Sequence, residues 1–224
     1  MATDVNRRSP GGRDGQARTR LARAAVVQAA RALFLERGYA GTTIEAISAA
    51  SDVPPATVYR LFGSKLGILK ALLDVSVAGA DEAVPLPDRP YVRALVADQD
   101  PRRQLSGFAG ITRGIMSRAE PVYRILVGAA GSDPEAAALL AEQTRHRQRG
   151  QAQIARVLAH AGALRPELRE RDAADIIHAL MSPEVYRLLV GDRGWSPRRY
   201  GQWLAEALIS QLLPPPAPAP RPRT

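Results

Sequence analysis

The chain has 224 residues, enough for a substantial core and for one or two domains, and it contains no cysteine, which excludes disulfides, thiolate metal sites and cysteine nucleophiles. Apolar residues make up 46%, as in a globular chain, and none of them form the run of about 18 that a membrane-spanning helix needs. The net charge of +9, carried almost wholly by arginine, suits a polyanionic partner, and residues 1–70 concentrate it, with eleven basic and five acidic side chains.

Residues 1–17 are polar and glycine-rich and read as a disordered basic arm. Its Arg7, Arg8 and Arg13 either reach DNA phosphates or stay in solvent. A first helix is predicted over 18–37, with an apolar stripe from Leu21 through Val26 to Phe34 and Gly38 as its stop. Two short helical patterns follow in 42–65, with a tight break between them. Thr42 and Glu45 read as a capping box, and Ile44 and Ile47 give the first short helix one apolar face. Asp52 stands at the break, where it tolerates a left-handed backbone. Pro54 and Pro55 open the second helix, which runs to about Phe62 with Val58 and Phe62 inward. Ser64 caps a further helix that begins at Lys65 and runs towards Gly79.

The segment 84–90 is proline-rich and breaks the helical pattern. Beyond it only helical patterns appear, over 91–98, 101–118, 121–130, 134–161, 171–190 and 197–213, so an all-α chain is expected. Residues 214–224 read as a proline-rich disordered tail. The helices around Ile177 and Leu188, and around Leu204 and Leu208, are apolar enough to need a partner, either the chain's own core or a second copy.

His146, His160 and His178 are the only histidines, and the nearby carboxylates Glu142 and Asp175 stand at ordinary helix-pair spacing. No HExxH, GxSxG or P-loop pattern occurs, so neither enzyme, metal site nor cofactor is expected.

A helix, a sharp turn and a short polar-faced helix have the form of a helix-turn-helix, whose second helix enters the DNA major groove. The order Thr42, Thr43, Ile47, Val53, Thr57, Val58, Tyr59, Phe62, Ser64, Lys65, Leu66, Leu69 resembles the TetR family of bacterial transcriptional regulators. The preceding Ala29, Leu33, Phe34, Gly38 and Tyr39 fit the same pattern, and the match covers roughly residues 20–73. Ser48, Asp52, Pro54 and Leu61 depart from it. The resemblance implies a helix-turn-helix DNA-binding domain at 18–64 and a helical regulatory and dimerisation domain at 65–213. It implies phosphate contacts by Thr43, Tyr59 and Lys65, and base-edge contacts by Pro55, Ala56, Thr57 and Arg60. It also implies a homodimer through Ile177, Leu188, Leu204 and Leu208, and a ligand pocket drawn from Phe108, Ile111, Met116, Tyr123, Val127, His178 and Met181, for which core packing is the alternative. The expected protein is a cytoplasmic repressor, released from palindromic double-stranded operator DNA by a small-molecule effector and with no membrane partner; the alternative is a helical DNA-binding protein without a ligand.

Overall fold

The structure, a computed structural model, describes residues 11–79 and 84–215, with side chains from Gly15 onward. Ten α-helices occur among these residues, without a strand. They are α1 (Gly11–Arg37), α2 (Ile44–Ser51), α3 (Pro55–Phe62), α4 (Lys65–Ala78), α5 (Pro90–Ala97), α6 (Pro101–Ala130), α7 (Pro134–His160), α8 (Glu170–Leu180), α9 (Pro183–Tyr186) and α10 (Pro197–Leu212). A 3-10 turn, Leu86–Asp88, precedes α5, and a π-type turn, Arg187–Asp192, follows α9. Residues 1–10 and 216–224, and with them Arg7, Arg8 and most of the expected tail, lie outside the described residues, as does the side chain of Arg13.

Two apolar cores organise the helices. The first joins α1–α4 to the second half of α6 and the start of α7, through Phe34, Ile47, Val58, Leu69, Val122 and Leu126. The second joins the first half of α6 to the end of α7 and to α8–α10, through Leu105, Leu158, Ile177, Tyr200, Leu204 and Leu208. Helix α6 therefore runs through both. The changeover falls between Met116, in the second core, and Ala119, in the first. The expected boundary at residue 64/65 does not divide the cores, because α4 packs on α1 as well as on α6.

Several expected boundaries move for identifiable reasons. Helix α1 begins at Gly11, so residues 11–17 are helical rather than part of an arm. The cap of α2 is Thr43, whose Oγ1 accepts from the Ala46 N–H at 3.1 Å. Thr42 is buried instead, and its hydroxyl bonds the carbonyls of Gly38 at 2.8 Å and Leu33 at 3.2 Å. The pattern over 171–190 breaks at Ser182-Pro183, where the serine caps α9 through the Val185 N–H. A residue before proline is pushed out of the α region.

Pro121 was expected to separate two helices, yet α6 is continuous across it. An internal proline withholds the N–H that would bond the carbonyl four residues back, at a cost of about 3 kcal/mol. Ala119, Val122 and Leu126, on both sides of it, are buried. Burial of large apolar side chains, at about 1.5–3 kcal/mol each, outweighs the lost bond.

Two tests follow from this packing. Pro121→Ala supplies the N–H that donates to the Ser117 carbonyl. That gain exceeds the ~0.4–1 kcal/mol by which proline restrains the unfolded chain, so a thermal melt should show Tm higher by roughly 4–8 °C; a lower Tm would mean that the proline ring itself is needed for packing. The second test concerns His178, whose Nδ1 lies 2.7 Å from Gln151 Oε1. Burial, and then the Arg147 charge, lower its pKa from the ordinary 6.5. The unfolded chain thus binds a proton first, and stability is lost as pH falls through 6.5 towards the folded pKa. His178→Gln should flatten that part of the acid-stability curve, as followed by urea melts.

Candidate nucleic-acid interface

The turn between α2 and α3 is built by three residues. Asp52 adopts φ 53°, ψ 32°, and its N–H closes α2 on the Ser48 carbonyl. It is the only non-glycine residue with positive φ among the described residues. Ser48 is buried, and its hydroxyl donates to the Val53 carbonyl at 2.6 Å while its own carbonyl accepts the Val53 N–H at 3.3 Å. A serine that reads as a near-isosteric alanine substitute is thus a clamp on the turn; its spacing of five from Val53 gives no signal in the sequence. Val53 and Val58 then fill the space under the turn.

This arrangement turns one face of α3 outward. Pro54, Pro55, Ala56, Tyr59 and Arg60 are exposed and Thr57 is half-buried. Arg60 and Tyr59 have no hydrogen-bond or ion-pair partner among the described residues, and no acidic residue occurs on α3. Thr43 is exposed at the start of α2. An apolar-backed helix that presents an arginine, a tyrosine and a threonine to solvent can offer base-edge and phosphate hydrogen bonds together.

Lys65 is tied to the rest of the fold. Its Nζ donates to the carbonyls of Tyr39 at 2.7 Å and Thr42 at 2.8 Å, and lies 4.3 Å from the centre of the Tyr39 ring. Burial lowers its pKa, against an opposing pull from Asp133. Two of its three N–H donors hold the α1–α2 corner against α4, and the third has no hydrogen-bond partner among the described residues. Arg23 has a similar part: Nη1 donates to the Leu61 carbonyl at 3.2 Å, and the guanidinium stacks 4.7 Å from the Phe62 ring centre, fixing the end of α3.

The seven expected pocket residues do not come together. Helix α6 rises about 1.5 Å per residue, so Ile111 and Val127 are some 24 Å apart. Met116 and Met181 are buried in the second core with Phe108 packed against it, whereas Tyr123 packs on the first. Val127 is exposed, and His178 is engaged with Gln151. Of the seven, Ile111 alone borders a cavity of about 370 Å³ on α6. Gly107, Gly110, Gly114 and Ile115 of α6 form the rest of its floor, with Leu86, Arg89, Tyr91 and Arg118 around it. Glycine inside a helix costs up to about 1 kcal/mol relative to alanine. Gly107 has a packing reason, since a Cβ there would lie 2.3 Å from Leu95, but a Cβ at Gly110 would meet nothing within 4 Å.

Of the expected dimer residues, Ile177, Leu204 and Leu208 are fully buried in the chain's own core, so a partner cannot reach them; apolar periodicity reveals a face but not what covers it. Leu188 is 50% exposed. Among the described residues no group of three His, Asp or Glu side chains is placed to hold a metal, and no helix is long and apolar enough to cross a membrane.

Residues 26–72 match the family model of bacterial regulatory proteins of the tetR family. The uncharacterized HTH-type transcriptional regulator YdeS of Bacillus subtilis is 28% identical over 169 residues, 74% of this chain and 77% of that protein. An HTH-type transcriptional repressor of Mycobacterium tuberculosis is 45% identical over 73 residues, 33% of this chain and 35% of that protein. Among solved structures, NalD of Pseudomonas aeruginosa, the secondary repressor of a multidrug efflux pump, aligns with TM-score 0.66 and 24% identity over 87% of this chain and 98% of its own. SmeT in complex with triclosan aligns at 0.65 with 20% identity, over 91% and 99%. A regulator of Saccharomonospora viridis in complex with choline also aligns at 0.65, with 21% identity over 87% and 98%. Its α1–α4 segment thus matches the tetR family of bacterial regulatory proteins, and the fold of the chain is that of the regulators NalD and SmeT.

Proposed function

We propose that the protein is a repressor that binds a palindromic operator as a homodimer in the cytoplasm and is released by a small molecule. The observation that carries this reading is the outward face of α3, where Tyr59 and Arg60 are exposed and unpartnered while Val58 is fully buried. Thr43 and Tyr59 are assigned to phosphates, and Pro55, Ala56, Thr57 and Arg60 to base edges; proline and alanine offer only apolar contact, for example to a thymine methyl. Two copies of α3 must stand about 34–36 Å apart to enter successive turns of the major groove. The exposed Leu188 supports a dimer contact near the end of α9. Ligand response is supported by the cavity against α6 and by similar folds that hold triclosan or choline. Those two ligands differ in charge and shape, so they do not choose an effector for this chain. The second reading, a DNA-binding protein without an effector, is favoured by the filled core around Met116 and Met181.

Selection of bound duplexes from a random DNA pool tests the reading directly. A two-fold symmetric site is expected; recovery of no preferred sequence would defeat it. Arg60→Ala should weaken the selected site by roughly 1–3 kcal/mol, mainly at one base pair. An equal loss on random DNA would remove its base-reading role. Lys65→Met should lower stability by about 1–3 kcal/mol through two carbonyls deprived of their donor, and should lower the salt slope of binding by about one if the third N–H meets a phosphate; an unchanged slope would remove that contact.

The dimer has its own check. Sedimentation at micromolar concentration should give twice the chain mass, and Leu188→Asp should shift it to one chain, because a charge buried without a partner is strongly destabilising. A monomeric wild-type chain would rule out the two-fold reading.

A further inference from the structure

We propose that the cavity on α6 takes a small amphiphile with an anionic head, and that Arg118 both binds that head and passes the event to α4. The inference rests on the reading of the chain as ligand-responsive and names the ligand class and the first residue of the response.

The cavity has an apolar floor with Arg118 at its edge. Ile111 and Ile115 flank the open space above Gly110 and Gly114, which no side chain fills: a Cβ on Gly114 would first meet Arg118 Nη1, at 3.8 Å. Arg89 and Arg118 line it, and no carboxylate occurs among the described residues that do so. The Tyr91 hydroxyl accepts from Arg89 Nη1 at 3.4 Å, which leaves its own O–H to donate. Guanidinium forks match planar anions with two parallel N–H bonds, and a hydroxyl donor adds a third. An aliphatic chain on the glycine floor with its anionic group at Arg118 satisfies both parts.

Arg118 is already in use on α4. Its Nε donates to the Ser76 carbonyl at 3.1 Å and its Nη2 to the Val77 carbonyl at 3.4 Å. These are carbonyls of the last turn of α4, which have no partner within the helix and attract a cation. The approach depends on Gly79, where a Cβ would lie 2.9 Å from Nη2. Nη1 has no hydrogen-bond partner among the described residues. An anion that engages Nη1 and Nη2 together draws the longer of the two bonds away from α4. The end of the helix that starts directly after α3 is then released.

The full-length chain is titrated by calorimetry with decanoate and decyl phosphate, and with decanol and decyltrimethylammonium as uncharged and cationic controls. Either anionic probe should bind at least tenfold more tightly than both controls; the pair also tells a carboxylate from a phosphate preference. Gly110→Leu, which fills open space, should weaken the anionic probe at least tenfold while Tm and DNA affinity stay as in wild type, with Gly110→Ala as the milder variant if leucine unfolds the chain. Arg118→Gln should abolish the preference over decanol. Hydrogen exchange of the last α4 turn should rise with the anionic probe in wild type and not in Gly110→Leu. Equal binding of decanol and the anions, or wild-type binding by Gly110→Leu, overturns the proposal. If a different compound releases DNA and its affinity ignores Gly110→Leu, this site falls and the ligand-responsive reading stands. If the anionic probe binds as described but leaves DNA affinity unchanged, the site stands and the ligand-responsive reading falls.

Discussion

The structure depends on one long helix that belongs to two cores. α6 buries Leu105 and Ala109 with α8–α10 at one end, and Val122 and Leu126 with α1–α4 at the other. Close-packed interiors transmit small displacements rather than absorb them. A shift of α6 relative to either core is therefore felt in the other. The changeover carries a weak point, since Pro121 leaves the Ser117 carbonyl without its helical bond. It also carries Arg118, which reaches back to α4. Stability and communication thus meet within one turn of helix, between the DNA-binding segment and the cavity.

Three titratable groups of α4 and α6 are shifted by desolvation. Glu120 of α6 is buried and its pKa raised by desolvation, against the pull of Arg124 and Arg187. Asp74 of α4 is likewise raised by burial, against Lys70. Lys65, at the other end of α4, is lowered by burial. Each of these groups is held partly out of water by packing rather than by an ideal ion pair, and the ion pairs on the surface, such as Lys70 with Glu142 at 3.5 Å, are of the weak exposed kind. The fold is held by its apolar cores and backbone ties, and salt should affect DNA affinity far more than stability.

The helix-turn-helix was legible because its signals are local. Asp52 at the left-handed position and the Ser64 cap are written in single residues, and the structure carries both. The choice between Thr42 and Thr43 as cap was not legible, since adjacent threonines differ only in which one the corner buries. Continuity of α6 across Pro121 was hidden because tertiary burial overrides a local breaker. The same limit explains the dimer and pocket residues. Periodicity marks Ile177, Leu204 and Leu208 as apolar but cannot say that α8 packs on α7 and α10 on α6. The cavity is marked by glycines, an absence of side chains, and apolar residues chosen for bulk could not reveal it. Lys65 matched a family pattern of residue types, while its role depends on where the Tyr39 and Thr42 carbonyls point.

The recognition helix shows why small motions of α4 matter. α3 has eight residues, no side-chain cap at its start, and prolines at positions 54 and 55. A helix this short is marginal alone, since isolated helices below about 12–15 residues rarely persist in water. Its place is set by what it docks on: Val58 in the first core, the Leu61 carbonyl on Arg23, and the turn through Gly63 and Ser64 into α4. The Lys65 tie sits at that junction, joining the first residue of α4 to the corner before α2. So the orientation of α3 is set jointly by α1, α2 and α4. In the proposed dimer two such helices meet the DNA together, and a coupling of only about 1–3 kcal/mol between cavity and spacing would change affinity some 5–150-fold. That is comparable to the net worth of one or two hydrogen bonds, the scale on which the Arg118 contact to α4 is built.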